Sequence, residues 1–480
     1  MKNKNFQIST AIDYPSARFH LGHAYEKICT DVIARWKRLQ GFNVHFSTGT
    51  DCHGLKIQQA AEKQGKTPEQ FVKEMSEGFR ELSKVMNISY DDFIMTTEKR
   101  HEKVVVNILK KLKENGDIYI GDYEGLYCVD CETYYTEKDL ENGNCPVHKS
   151  KCELIKESSY FFKLNKYQKQ IIDALKSGSL LWPKKKKNEI IERLKEPLKD
   201  LSISRKAVKW GIKMPFDKNM TIFVWIDALI NYLTTVDYPN KKFNDFWPAL
   251  HIIGPDIVWH HTVIWYSILL ALGLKLPKVV VHGFINLEGE KLSKARGITI
   301  DPLELAKKYS TDSLRYFLAR AIPFGDDGDF SEQALIERNN SELADKLGNL
   351  VSRVSALAEK YGIEKCENRL IKELNIKGIE KHIENYELDR ALNLIFDFIG
   401  RCNEYVQENK IWETKDRKKL YELADSIKAI AILLYPFIPE TSEKIAKTFN
   451  FSIDLKEIEK PLKVSKITKS EILFGKIKEE

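Results

Sequence analysis

Two histidines three residues apart, His20 and His23 of His20-Leu21-Gly22-His23, stand where an expected strand gives way to an expected helix. A helix start turns free N–H groups and a positive dipole end outward, a setting that suits phosphate. At this spacing the two side chains project from neighbouring faces of one turn and reach one ligand. Gly22 between them lets a flat ring approach the backbone. Far along the chain, Gly289-Glu290-Lys291-Leu292-Ser293-Lys294-Ala295-Arg296-Gly297 puts two lysines and an arginine on a loop bracketed by glycines. The cations can neutralise pyrophosphate charge as it develops, and the glycines let the loop move. A histidine pair or a lysine-rich turn means little alone. Together they point to phosphate chemistry.

A second constellation is Cys128-x2-Cys131 with Cys145-x2-His148, separated by a short polar stretch. Two such pairs suit tetrahedral zinc, and a closed four-ligand site of this kind is structural. Gly143 and Pro146 supply a tight turn. Cys152 is the alternative fourth ligand.

These residues need a scaffold. The run from Phe6 to Ile12 alternates as a strand, a turn follows at Asp13-Tyr14-Pro15-Ser16, and Leu21, Tyr25, Ile28, Val32, Trp36 and Leu39 recur at helical spacing up to the stop signal Gly41. A second strand is expected near 43–48. This βαβ opening predicts a parallel sheet with ligands at the strand C-termini. Between about 116 and 215 the rhythm breaks, and the clustered cysteines, short β-like pieces and the run Lys184-Lys185-Lys186-Lys187 read as an insertion. Strand–helix alternation resumes at Thr221-Ile222-Phe223-Val224-Trp225, His251-Ile252-Ile253-Gly254 and Lys278-Val279-Val280-Val281-His282-Gly283. From about Ser331 the pattern is almost wholly helical. The expected fold is therefore α/β: a Rossmann-type doubly wound parallel sheet split by a zinc-knuckle insertion and followed by an all-α helix bundle.

At 480 residues the chain exceeds one ordinary domain, so two or three packed units are expected. The net charge of +7 permits a polyanionic partner without demanding one. No apolar run is long enough to span a bilayer, and no apolar segment follows the basic start, so the cytoplasm is expected. Eight cysteines in such a chain do not suggest a disulfide framework.

The two phosphate motifs resemble the paired HIGH and KMSKS signatures of class I aminoacyl-tRNA synthetases, with Leu292 for the usual Met and Ala295 for the final Ser. The resemblance implies a split dinucleotide-type fold in which His20, His23, Lys291 and Lys294 are catalytic, stabilising the transition state of adenylate formation. It implies that ATP, carrying Mg2+, is held by His20, Gly22, His23, Lys291, Ser293 and Lys294. The likeness is to the methionyl-tRNA synthetase family at Ala11-Ile12-Asp13-Tyr14-Pro15, Thr48-Gly49-Thr50-Asp51-Cys52-His53-Gly54, Asp200-Leu201-Ser202-Ile203-Ser204-Arg205, Val224-Trp225-Ile226-Asp227-Ala228-Leu229-Ile230-Asn231-Tyr232 and Ile253-Gly254-Pro255-Asp256-Ile257, and it covers nearly the whole chain. Carried over, Asp51 binds the methionine ammonium, helped by backbone near Ile12, while Tyr14, Trp225, Ala228, Tyr232, Ile257, His261 and Trp265 enclose the thioether. Aromatic walls suit a polarisable thioether. A Tyr or His polar atom near sulfur would reject a hydrocarbon isostere by about 1–3 kcal/mol. His260 stands where many relatives carry an aromatic. The family's knuckle commonly closes with C-P-x-H, which favours His148 over Cys152.

An apolar stripe of Leu343, Leu347, Leu350, Val354 and Leu357 predicts a helix over 342–361, with Asn349 and Arg353 on one flank. By the same resemblance, Asn349, Arg353 and Trp412 bind the anticodon of tRNA(Met), where an indole stacks an unpaired base and Asn and Arg hydrogen-bond its edge. The expected division is a catalytic domain over 1–115 and 216–285, the insertion over 116–215, a KMSKS-like loop and stem-contact region over 286–330, an anticodon-binding bundle over 331–465, and a tail over 466–480. No appended oligonucleotide-binding domain is recognised, so a monomer is expected. The 116–215 stretch is too short for a hydrolytic editing domain plus a zinc knuckle. Two rival readings share parts of this pattern: another class I synthetase or small nucleotidyltransferase, and an inactive RNA-binding paralogue.

Overall fold

The computed structural model describes residues 4–129, 133–135, 140–146, 149–287, 290–291, 300–463 and 466–478. Its centre is a six-stranded parallel sheet. The strands β1 (Asn5–Thr10), β2 (Asn43–Thr50) and β3 (Asp92–Met95) form one half, and Leu250–Ile253, Lys278–Val281 and Leu181–Trp182 form the other, in the order β3-β2-β1 and then these three. β1 is the seam: it pairs with β2 on one side and with Leu250–Ile253 on the other. The crossover from β1 to β2 is helix α1 (Leu21–Leu39), with basic residues in its last turn and Gly41 behind it at φ +82°, a conformation that favours glycine.

α1 is buried along almost its whole length, charged residues included. Such a helix survives burial only if its charges are paired. Lys27 is bound by Asp13, and Asp31 accepts from both Arg35 and Arg315 at 2.7 Å. Burial pushes the Asp31 carboxyl up, but the two guanidinium groups outweigh it and hold the pKa below the usual carboxylate range. Arg315 also donates to the carbonyls of Met86, Pro436 and Phe437, which ties α1 to the helices at the end of the chain. The hydrophobic core on this face of the sheet accordingly runs without a break into the C-terminal bundle. A second core fills the opposite face and reaches into the insertion.

Three expectations need correction. The segment 221–225 is not a strand of the central sheet. The strand Asp217–Ile222 belongs to a small antiparallel sheet, and helix Val224–Thr234 begins at once after Phe223. A short apolar run does not distinguish a strand from a buried helix, and here the helix wins because nearly all its residues are buried. The 116–215 stretch is not wholly separate either: a four-stranded antiparallel sheet occupies part of it, yet Leu181–Trp182 pairs in parallel with Lys278–Val281 as the edge of the central sheet. The helix expected over 342–361 starts earlier. It runs through Glu332–Arg338, a π-helical stretch Asn339–Gly348 and Asn349–Tyr361 as one rod. The remaining bundle is built from helices Ile376–Glu384, Leu388–Glu408, Arg417–Leu434 and Pro439–Phe449. Among the described residues, no helix is long and apolar enough to cross a membrane.

Candidate functional site

The strand order reverses between β1 and Leu250–Ile253, and the C-terminal ends of these two strands open the crevice where doubly wound folds bind ligands. His20 caps α1 there. Its Nδ1 accepts the Gly22 N–H at 3.1 Å, and the His20 N–H donates to Nδ1 of His23 at 3.1 Å. The rings lie 4.0 Å apart, and His23 meets Phe79 edge-on at 5.4 Å. With Nδ1 accepting, a neutral imidazole carries its proton on Nε2 and is a donor there. The flat ring lying against Gly22 is His20's own: a Cβ at Gly22 would sit 2.9 Å from its Cε1.

The chain that follows the lysine-rich segment, from Ile300, reaches the same place. Leu21 N–H donates to the Ile300 carbonyl at 3.2 Å, and Arg18 pairs with Asp301 at 2.9 Å. The backbone of Glu290–Lys291 pairs with Ile285–Leu287. The Lys291 side chain and residues 292–299, with Ser293 and Lys294, lie outside the described residues.

At the end of β2, Asp51 is buried, and its N–H donates to Asp13 O at 2.8 Å. Asp13 is charge-balanced by the fully buried Lys27 at 2.5 Å. Ile12 is half-buried beside it, and the half-buried Tyr14 donates its hydroxyl to His53 O at 3.0 Å. Behind this lies a constellation whose members are far apart in the sequence. Asp227, fully enclosed, bridges His53 Nδ1 and His101 Nε2 at 2.7 Å each, and His101 Nδ1 meets Thr234 Oγ1 at 3.0 Å. Burial pushes the Asp227 carboxyl up, but the two histidines outweigh it and hold the pKa below the usual range. Asp227 shares a helix with Trp225, Ala228 and Tyr232, so this bridge fixes that helix against the end of β2.

An aromatic wall follows. Trp225 stacks on His260, centroids 3.7 Å apart. Burial, with His261 and Arg193 nearby, pushes the His260 imidazole down to about 3. His260 thus acts as a neutral flat ring, which accounts for a histidine at an aromatic's position. Tyr232 and His261 are joined O to Nε2 at 2.7 Å, and His261 Nδ1 meets Ile257 O at 2.9 Å. A carbonyl only accepts, so Nδ1 carries the proton and Nε2 accepts the Tyr232 hydroxyl. Burial pushes His261 down to about 4. Tyr232 also stacks on His251 at 3.9 Å, and the fully buried Trp265 points its indole N–H at His251 Nε2, 3.4 Å away. Burial drives His251 well below the usual range, while its Nδ1 meets Ser9 Oγ at 2.8 Å. Ala228 is buried and Ile257 half-buried in the same neighbourhood. The wall is polarisable, uncharged and ordered by hydrogen bonds.

On the bundle, Asn349 is half-buried with its amide donating to Asp345 O at 3.0 Å, and Arg353 is exposed. Trp412, 42% exposed, sits on the short helix Ile411–Thr414, between Lys410 and Lys415 at φ +41° and +54°. Two left-handed non-glycine residues are an uncommon cost, and they set this turn off from the helix before it.

In the insertion, Cys128, Cys145 and Cys152 form a buried cluster, while Cys131 and His148 lie outside the described residues. Burial and the two neighbouring thiols push Cys152 up to about 11. Among the described residues, no group of three or more His, Cys, Asp or Glu is arranged to hold a metal ion. Their chemistry nevertheless fits a soft cation, since three thiols are gathered in one buried cluster.

This crevice, the helix start at its mouth and the appended bundle define a class I synthetase architecture. The family model described as tRNA synthetases class I (M) matches residues 6–153 and 136–355, and that of the anticodon-binding domain of tRNA ligase matches 368–475. The chain is 42% identical to the methionine–tRNA ligase of Caldanaerobacter subterraneus subsp. tengcongensis and 41% identical to that of Clostridium acetobutylicum, in each case over 99% of this chain and 79% of the relative. The solved structure of Mycobacterium tuberculosis methionyl-tRNA synthetase in complex with methionyl-adenylate superposes with a TM-score of 0.94 at 32% identity, covering 98% of this chain and 99% of that one. The chain belongs to the methionine family of class I tRNA synthetases.

Proposed function

We propose that the protein is a methionine–tRNA ligase: it joins L-methionine to AMP from ATP, releasing pyrophosphate, and then passes the methionyl group to the 3'-terminal adenosine of tRNA(Met). The observation that carries this reading is one crevice in which the His20/His23 helix start, Ile300 just after the lysine-rich segment, and the Trp225–His260 and Tyr232–His261 wall surround the reversal point of the sheet.

In this reading the methionine carboxylate attacks the α-phosphorus of ATP, and pyrophosphate leaves. His20 and His23, each with Nδ1 accepting a backbone N–H, offer Nε2–H donors to phosphate oxygens. Lys291 and Lys294 supply positive charge to the departing pyrophosphate, with Ser293 on the same loop and Gly22 at the helix start completing the ATP contacts. Bound Mg2+ would neutralise further phosphate charge. Asp51 takes the substrate ammonium beside Ile12. Tyr14, Trp225, Ala228, Ile257 and the Tyr232–His261–Trp265 group hold the thioether. Asn349, Arg353 and Trp412 read the anticodon. The division of the chain at 115, 215, 285, 330 and 465 belongs to this reading, with 181–182 returned to the sheet. So does a cytoplasmic monomer.

A structural zinc held by Cys128, Cys131, Cys145 and His148 completes the proposal. Cys152, packed against two of these thiols, supports its own candidacy as the fourth ligand. Elemental analysis should find about one zinc per chain, and whichever of His148→Ala and Cys152→Ser releases it identifies the ligand.

The deciding experiment is amino-acid-dependent ATP–pyrophosphate exchange. Methionine alone should support it. Better exchange with leucine or cysteine would sink the assignment and favour another class I synthetase, and no exchange at all would favour an inactive RNA-binding relative.

A further inference from the structure

Glu26 and His282 form an ion pair at the same end of the sheet as the crevice. Glu26 lies on α1, one turn after His23, and accepts from His282 Nε2 at 3.0 Å. His282 follows the C-terminal end of the strand Lys278–Val281, and its N–H donates to the Ile253 carbonyl at 3.1 Å. A Cβ at Gly254 would sit 3.8 Å from His282 Nε2 and 3.0 Å from Asp256 Oδ1. The pair thus stands between α1 and the end of the strand that borders β1.

Both ring nitrogens of His282 face acceptors: Nδ1 lies 2.7 Å from the Gly283 carbonyl, and Nε2 meets the carboxylate. The ring that satisfies both is the imidazolium. Burial works against this cation, but Glu26, the Gly283 carbonyl and Asp256 outweigh it and hold the pKa above the ordinary histidine value. Tyr25 meets the ring edge-on at 5.4 Å. Glu26 is satisfied on one side only. Its Oε2 takes the His282 proton, its Oε1 has no hydrogen-bond partner among the described residues, and the side chain keeps 11% of its exposure. Burial pushes the Tyr232 hydroxyl well above its usual range, and the Glu26 carboxylate adds to that shift, so Glu26 lies within electrostatic reach of the aromatic wall.

An open acceptor in a site for ATP and methionine has few groups to meet. Phosphate oxygens repel it, and Asp51 is set against the methionine ammonium. A ribose hydroxyl is a neutral donor next to the α-phosphate, and a hydrogen bond from it to an ionised acceptor is of the stronger kind. The imidazolium offsets the carboxylate's charge toward the phosphates and leaves its second oxygen available.

Resting on the ligase reading, we propose that His282 is a positioning residue for ATP: it holds the Glu26 carboxylate so that the second oxygen accepts a ribose hydroxyl.

The test compares ATP with 2'-deoxy-ATP and 3'-deoxy-ATP in methionine-dependent pyrophosphate exchange by the full-length protein. In the wild type at least one analogue should raise the nucleotide KM roughly tenfold or more. His282→Phe keeps a flat ring against Tyr25 but donates nothing. It should raise the KM for ATP roughly tenfold, leave that for methionine within about twofold, and shrink the penalty of the same analogue to below about threefold. His282→Gln, whose amide N–H still reaches Glu26, should keep most of the penalty. Should His282→Phe fail to fold, Glu26→Met must remove it. A full penalty in His282→Phe or Glu26→Met, an equal rise in the KM for methionine, or no penalty for either analogue in the wild type would each overturn the proposal. So would a His282→Phe cost that vanishes with purine riboside triphosphate, which lacks the adenine amino group, since Glu26 would then be meeting the base. Wild-type exchange with methionine confines these failures to the present proposal, whereas a wild type that exchanges with no amino acid sinks the ligase reading and this one together.

Discussion

At the C-terminal edge of the sheet, buried Asp227 is hydrogen-bonded to buried His53 and His101, and buried Tyr232 to buried His261, whereas on the bundle Arg353 and Trp412 stand in solvent on helices whose other faces are packed. A small apolar amino acid offers little area, so its site must be dry and ordered before the ligand arrives. A polyanion offers many contacts over a wide surface, so exposed aromatic and cationic side chains on a rigid frame suffice. The same chain thus contains residues whose removal should unfold it and residues whose removal it should barely register.

That contrast can be broken most directly on stability. Asp227→Ala leaves two buried histidines without their carboxylate and should cost about 3–5 kcal/mol, read from the urea midpoint, whereas Arg353→Ala should stay within about 0.5 kcal/mol. Similar losses in the two variants would erase the distinction. On catalysis, His23→Ala should lower kcat for pyrophosphate exchange by roughly 10²–10³ with little change in the KM for methionine. A defect confined to KM would move His23 from the transition state to ground-state binding. On tRNA, Trp412→Ala should leave exchange intact and weaken charging by about 1–3 kcal/mol. Equal loss of both would deny the indole a role in reading RNA.

The smallest expected effect is a flat line. His261 ordinarily titrates near 6.5 but is pushed down to about 4 by burial, so it remains neutral across physiological pH. The unfolded chain binds this proton more readily than the folded one, so the stability His261 contributes is complete above pH ~6.5 and is lost as pH falls toward 4. The KM for methionine should accordingly not change between pH ~8 and ~6. An inflection near 6.5 would show His261 to be solvated, and the wall to be less dry than its hydrogen bonds imply.

How far the sequence reveals this site depends on how local each device is. The His20 cap and the Gly22 contact involve residues at most three apart, so spacing suffices to suspect them. The bridge from Asp227 to His53 and His101 spans 174 and 126 residues. Asp51-Cys52-His53-Gly54 and Val224-Trp225-Ile226-Asp227-Ala228 both stand out as segments, but nothing in either says that they meet, and His101 carries no local signal at all. The edge strand Leu181–Trp182 is two residues long and leaves no period to detect. The break between strand and helix at Phe223 is hidden for the opposite reason: burial on every side makes the whole run apolar and removes the alternation that separates the two.

The uninterrupted helical rod over 332–361 starts beside the short strand Gly328–Phe330, which pairs with the strand leading into the lysine-rich segment, and carries Asn349 and Arg353 toward its far end. Some twenty residues of helix separate its base from Arg353, a reach of about 30 Å. Such a rod sets a distance: packed along the bundle core through Leu335, Leu343, Leu347, Leu350 and Val354, it holds Arg353 at a fixed remove from the strands at its base.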